Sequence, residues 1–441
     1  MLPELASSAN DRPRLRSSVG LEPQKDGISS DLRTAVRSVF AIETEASEGE
    51  QSLQYEMLLL GGRSTYVVSF AGHLLTDSEE AYAKLDDQLA PMDYLAIFRE
   101  RDGRQIVHIF SGRLNPPPRP IWPNLLLLIG TIISVLMVGA ETAINEIAGL
   151  GASQAEIEAL VNNFFGELWR GIPYAASLLA ILGAHELGHY FAARRHKIAV
   201  TLPYFIPAPF TFFGTFGAFI QLRQPMRNRK TLLDVGLAGP LFGLMVALPI
   251  LYIGLRTSPV DVIQPGLLEG NSFFYALMKT LAFGEFLPNG TYDVYINQLA
   301  RAGWVGLLVT GLNLIPIGQL DGGHVLYSLI GERARQLYFP LMAAMTGLVI
   351  LTISTSAIWV LWLMLLLLFG RIYAVPLDNI TQLDTRRRLL ALIGLIVFVV
   401  TFVPLPLSPV EGVVLPPGLD SASLLMPLAL TFMVLFMNRR R

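Results

Sequence analysis

From residue 121 onward the chain is a succession of long apolar runs broken by short basic clusters, and that pattern restricts the fold more than any other feature. The runs lie near 124–140, 172–193, 232–254, 302–320, 338–353, 357–370, 389–403 and 421–438. Each approaches the ~20 residues that carry a helix across a bilayer, although several fall short of it. Lipid cannot hydrogen-bond a bare backbone, so an apolar run that crosses it is helical. Hydrophobic residues make up 52% of the chain and charged residues 15%, too little charge for an ordinary soluble surface. The expected fold is an α-helical multi-pass membrane protein of about eight spans over 121–441, with a small soluble domain in front. The runs at 338–353 and 357–370 read equally well as one hairpin bent around Ser354-Thr355-Ser356.

Basic residues test the layout. Arg194, Arg195 and Lys197 follow the second run, and Arg223, Arg227, Arg229 and Lys230 precede the third. Arg333 and Arg335 follow the fourth, Arg371 and Arg386–Arg388 bracket the later runs, and Arg439–Arg441 end the sequence. The opposite segments, 141–171, 255–301 and 404–420, hold only Arg170, Arg256, Lys279 and Arg301. Alternating spans put every cluster on one face, which predicts cytoplasmic N- and C-termini by the positive-inside rule. The first 30 residues resemble neither a signal peptide nor an acid-poor transit peptide, which points to a prokaryotic cytoplasmic membrane. A net charge of −2 gives no footprint for nucleic acid. The absence of cysteine excludes disulfides, thiolate ligands and a cysteine nucleophile. Any bound metal must therefore be held by His and carboxylate.

The remaining boundaries are softer. Residues 1–35 read as a tail, 36–112 as an α+β head and 113–120 as a proline-rich linker, with four prolines between Asn115 and Pro120. Alternation at Tyr55–Leu60 and Tyr66–Phe70 predicts two strands joined at Gly61-Gly62. Asp77 is placed to cap a helix from Ser78 to Leu89. Asp93–Glu100 and Gln105–Phe110 predict a hairpin turning at Asp102-Gly103. The head is then a ββαββ layer.

The second run contains His185-Glu186-Leu187-Gly188-His189. On a helix the two His share a face and reach one ion, while Glu186 reaches a water on it without ligating. Ionisable side chains inside an apolar span are costly and usually functional. A catalytic zinc site generally has three protein ligands. Asp321, in Asn313-Leu-Ile-Pro316-Ile-Gly-Gln-Leu-Asp321-Gly322-Gly323-His324, is a third candidate, because Pro316 breaks the helix and the glycines let the backbone bend close to the metal. Asp321 could equally begin an interfacial turn, and His324 competes as a ligand.

Together, H-E-x-x-H in one span and N-x-x-P-x-x-x-L-D-G-G in a later one resemble the site-2 protease family of intramembrane metalloproteases. The resemblance implies one Zn²⁺ per chain held by His185, His189 and Asp321, with Glu186 as general base. It also implies a membrane-protein substrate, cleaved in or near a transmembrane segment. Asn313 matches an asparagine that orients substrate or stabilises the oxyanion, though it could instead tie off backbone freed by Pro316. Many family members carry a PDZ module, for which 255–301 is too short, and some a CBS pair, for which no insert exists. A soluble head plus eight spans looks closer to the cyanobacterial and plastid branch.

Phe205–Arg223 is too apolar for a free loop and too rich in Gly and Pro for a helix. A re-entrant hairpin fits, since irregular backbone survives at membrane depth only against protein or a cavity. Its Gly214-Thr215-Phe216-Gly217 edge is the candidate substrate-binding strand, by strand addition; an interfacial aromatic belt is the other reading. Asp234 reads as the N-cap of the third span, and Gly236, Gly239 and Gly243 as a close-packing stripe. A different class, a metal-ion transporter using the same His and Asp, would usually show inverted repeats, and neither motif repeats. A complete ligand set also argues against an inactive scaffold.

Overall fold

The computed structural model describes residues 30–45, 56, 60, 64–101, 103–263, 267–353 and 358–409. The chain divides after Asn115 into two units, Met1–Asn115 and Pro116–Arg441.

In the first unit α1 (Ser30–Arg37) precedes β1 (Phe40–Glu45), β2 (Thr65–Leu74), α2 (Ser78–Leu89), β3 (Tyr94–Arg101) and β4 (Arg104–Ser111). The strands form one antiparallel sheet in the order β1-β2-β4-β3. Asp77 caps α2 by accepting from the Glu79 amide, and Ala81, Leu85 and Leu89 are buried at helical spacing. Gly103 takes φ +77° in the two-residue turn between β3 and β4, a conformation that favours glycine. Two expectations shift. Helix α1 begins inside the stretch read as tail, because Leu32, Ala35 and Val36 form a buried face. The strand expected over Tyr55–Leu60 falls largely outside the described residues, and Glu56 within it is helical; β1 is the first strand instead. Glu56 is buried in a bidentate pair with Arg99 at 2.6 and 2.7 Å, which satisfies a charge that alternation alone would place outward.

Among the described residues of the second unit, three stretches are long and apolar enough to cross a membrane: α3 (Trp122–Gly149), α6 (Arg229–Arg256) and Asp321–Thr352. The last comprises α9 (Asp321–Ile330) and α10 (Tyr338–Thr352), joined by a 3₁₀ segment. The other helices are α4 (Gln154–Asn162), α5 (Ile172–Arg195), α7 (Phe273–Phe283), α8 (Gln298–Asn313), α11 (Ile358–Phe369) and α12 (Thr385–Thr401). Seven of the eight expected runs thus coincide with helices, but α8, α11 and α12 are shorter than a full span. The eighth run, 421–438, and the Ser354–Ser356 bend lie outside the described residues. Helix α8 stops at Asn313, three residues before Pro316, because proline disfavours helical backbone just ahead of it.

The expected hairpin is present: β5 (Tyr204–Ala208) pairs with β6 (Gly214–Phe219) in antiparallel register. Polar side chains on helices pin it. Asn124 donates to the Leu202 and Pro203 carbonyls, and Ser134 donates to Gly214 O while accepting from the Ala208 amide. Tyr174 donates to Phe213 O, and Arg301 donates to Phe212 O with its guanidinium 4.0 Å from the Phe212 ring centre. Linker residues are also held, Arg119 on the Gln221 side chain and Pro117 O by Arg223. Asp234 is not the cap of α6. Asn228 caps it, accepting from the Thr231 amide, whereas Asp234 pairs with Arg387 of α12 and with His196 just past α5.

His108 on β4 is fully buried, with Nδ1 2.7 Å from Ser69 Oγ. Burial, with Arg99 and Arg101 nearby, pulls its pKa from 6.5 to about 3. The unfolded chain then binds a proton that the folded head refuses below about pH 6.5. Folding stability is complete above that value and falls by about 1.4 kcal/mol per pH unit on acidification toward pH 3. Hydrogen exchange at β4 amides, corrected for intrinsic rates, should show protection falling between pH 7 and 5 in the wild-type protein and a flatter profile in His108→Gln.

Candidate metal centre

Helix α5 starts with Pro173 in its first turn and ends at Arg194-Arg195, charges that suit the carboxyl end of a helix dipole. Four residues of separation put His185 and His189 on one face, with Nε2 atoms 3.2 Å apart. Asp321, the first residue of α9, brings Oδ2 to 3.3 Å from both. These three ligand atoms lie within 4.8 Å of one another, the one such group among the described residues. Both His are buried.

The donor chemistry fits a cation. Val235 O is 2.7 Å from His189 Nδ1 and can only accept, so Nδ1 carries the proton and Nε2 presents a lone pair. With His185 in the same tautomer, three acceptors are aimed at one point, an arrangement that a positive charge between them satisfies. Ligand bonds of about 2.0–2.1 Å in a tetrahedron separate neighbouring ligand atoms by about 3.3–3.4 Å. The observed triangle of 3.2, 3.3 and 3.3 Å matches three corners of that figure. The residues present therefore fit Zn²⁺ with a fourth position open.

Glu186 is buried beside the triangle, with Oε1 4.0 Å from His185 Nε2, and Ile220 lines the same cavity. Asn313 ends α8 with Nδ2 3.3 Å from His185 Nε2. His324 lines the same cavity of about 200 Å³ but is not in the three-atom group. The two glycines after Asp321 serve a different purpose from the one expected. A Cβ on Gly322 would lie 1.9 Å from Leu314 O and one on Gly323 2.4 Å from Gly318 O, so they let α9 fold back against the preceding turn.

The hairpin meets the cavity later than expected. Ala218, Phe219, Ile220 and Leu222 line it, whereas Gly214, Thr215, Phe216 and Gly217 do not. Gly214 and Thr215 are buried, Gly214 against Val135 and Ser134 of α3. Phe216 is exposed, and Gly217 has φ +95°. The pins described above hold 202–214 to the helices and leave the later end of β6 facing Glu186. Sequence reasoning missed Val235, since a backbone carbonyl carries no residue-type signal.

Residues 173–354 match the model of Peptidase family M50. This segment is a peptidase family M50 domain. The chain is 29% identical over 366 residues to "Probable zinc metalloprotease EGY1, chloroplastic" of Arabidopsis thaliana, covering 76% of this chain and 66% of that one. It is 32% identical over 242 residues to "Probable zinc metalloprotease EGY2, chloroplastic" of the same plant, 54% of this chain and 42% of the other. With "Probable zinc metalloprotease EGY3, chloroplastic" of Oryza sativa subsp. indica it shares 28% identity over 178 residues, 37% and 30% of the two chains. The chain thus spans just under two thirds of the EGY1 relative and less of the others. No solved structure matches it.

The M50 domain contains the whole triangle, Glu186, Asn313 and the hairpin. It also contains the glycines of α6 that make room for the imidazoles. A Cβ on Gly239 would come 2.0 Å from His189 Nε2, the ligand atom itself. Gly239→Ala should therefore weaken Zn²⁺ binding by about 10–100-fold, the range for disturbing a ligand's supporting contacts. Equilibrium dialysis with Zn²⁺ checks this against Gly347→Ala, a site with nothing within 4 Å of the added methyl.

Proposed function

We propose that the M50 domain is a zinc-dependent endopeptidase that hydrolyses peptide bonds in or near transmembrane segments of membrane-protein substrates. The observation that carries this reading is the convergence of His185, His189 and Asp321 on one point beside Glu186, on a helix core otherwise built for lipid. The names of the relatives, probable zinc metalloproteases, support the metal and the reaction.

In this reading His185, His189 and Asp321 hold the ion. Bound there, Zn²⁺ supplies a Lewis acid for the scissile carbonyl and lowers the pKa of its water to about 7. Glu186 takes the proton of the attacking water and passes it to the leaving amine. Its carboxylate lines the cavity that holds the triangle, where it can accept a proton from a water. Asn313 contributes an amide donor next to His185, aimed at charge that builds on the carbonyl oxygen. The exposed part of β6 serves as a template on which an unwound substrate segment adds as a strand. A substrate helix must unwind first, because its peptide bonds are otherwise closed within its own ladder.

The same proposal gives the unit about eight spans, with both termini on the side of the basic clusters. It places the chain in a prokaryotic cytoplasmic membrane, where the named relatives are chloroplastic. The bilayer and a membrane-protein substrate are the proposed partners.

Glu186→Gln separates this function from metal transport. The variant should keep one Zn²⁺ per chain by elemental analysis and lose cleavage of a transmembrane reporter by about 10²–10⁴-fold. Undiminished metal flux through the variant in vesicles, with no cleavage by the wild-type protein, would overturn the peptidase reading.

A further inference from the structure

Helix α7 is apolar nearly all round and turns its one charged side chain inward. Its inward face is Tyr275, Met278, Lys279 and Ala282, with Lys279 fully buried. The ammonium lies 3.0 Å from Glu269 Oε1, 3.1 Å from Asp293 Oδ1 and 4.8 Å from the Tyr275 ring centre. Tyr275 in turn donates to Glu269. The outward face, at steps of four, is Phe273, Leu277 and Leu281, which are 77%, 51% and 62% exposed. The one hydroxyl on that side, Thr280, donates back to Ala276 O of its own helix.

In water the arrangement should be reversed, with the lysine head solvated and the leucines inside. A buried ammonium is tolerated here because two carboxylates and an aromatic face surround it. We propose that the outer face of α7 is a lipid-contacting surface, its Phe273–Leu277–Leu281 stripe lying against acyl chains at the membrane interface. Eleven residues rise about 16 Å, too little to cross a core of about 30 Å. The helix therefore lies in the interface instead of spanning it. Its position agrees: Arg256, at the end of the α6 stretch, donates to Ala282 O and clamps the last turn of α7 there. Tyr252 and Ile253, exposed on the final turns of α6, extend the same apolar belt. The segment 255–301 is thus anchored in the bilayer, where the sequence suggested only a connecting loop. This rests on α6 crossing the membrane and is independent of any peptidase activity.

The native chain has no cysteine, so Phe273→Cys, Leu277→Cys and Leu281→Cys each carry a single spin label in the full-length protein. Glu285→Cys, on an exposed polar position just past α7, is the reference. In phosphatidylcholine–phosphatidylglycerol vesicles, power saturation should show the labels at 273, 277 and 281 reached more by oxygen than by a water-soluble nickel chelate, with the order reversed at 285. Labels at 277 and 281 as open to nickel as the one at 285 would overturn the proposal. So would labels shielded from both reagents, since protein would then cover the stripe. Reading three positions separately keeps one misfolded variant from deciding the outcome.

Discussion

A buried acceptor with no donor or cation opposite it is expensive, and hydrocarbon supplies neither. In the Pro116–Arg441 unit that demand is sharpest where His185, His189 and Asp321 converge. His189 has already committed its Nδ1 proton to Val235, and an ionised carboxylate only accepts. The three atoms hold one another at 3.2–3.3 Å, a spacing that is repulsive without positive charge and close to ideal around a small divalent ion. The requirement reaches outward from there: two His must share a helix face, an aspartate must arrive from a second element, and a third helix must leave space for rings.

Helix α6 meets the last requirement through its glycines. A Cβ on Gly243 would touch His185, one on Gly239 would strike His189, and one on Gly236 would strike His324. The step from 239 to 243 is four residues, as is the step from 185 to 189, and the two run in opposite senses. Two antiparallel helices are therefore in register over one turn, and side chains on one fill notches on the other. One turn earlier on α6, Val235 offers the carbonyl that orients His189. The stripe of small residues serves the imidazoles as much as close helix packing in general.

How much of this is legible in the sequence depends on the range of each interaction. The His-Glu-x-x-His spacing, the run that holds it and the break before Asp321 are local patterns, and they read out directly. Asp234 looked like a cap because it lies shortly after the basic cluster 227–230, but its partners are Arg387, 153 residues away, and His196. Asn228, six residues earlier, closes the helix instead. The glycines of 214–217 pointed to the hairpin, whereas the cavity beside Glu186 is lined by its later residues, Ala218, Phe219, Ile220 and Leu222. Which part of the hairpin faces Glu186 is decided by pins from Asn124, Ser134, Tyr174 and Arg301, none of which is near it in sequence. Lys279, a lone lysine between apolar runs, is likewise explained only by the partners the fold brings to it, Glu269 and Asp293. In the head, Glu56 turned inward because Arg99 is there to receive it.

A two-stranded hairpin is marginal by itself, so β5 and β6 owe their shape to what holds them. Every pin described here engages backbone at or before Gly214, from the α3 side or from the tip. Strand β6 past Gly214 is held by its pairing to β5 and by the Thr215 hydroxyl, which donates to Ile206 O. The positive φ at Gly217 marks where the strand turns toward the cavity, a bend that a side chain would resist. Ile220, three residues on, lines the cavity with Glu186. The anchored end thus fixes the hairpin to the helices while the other end lines the cavity beside Glu186.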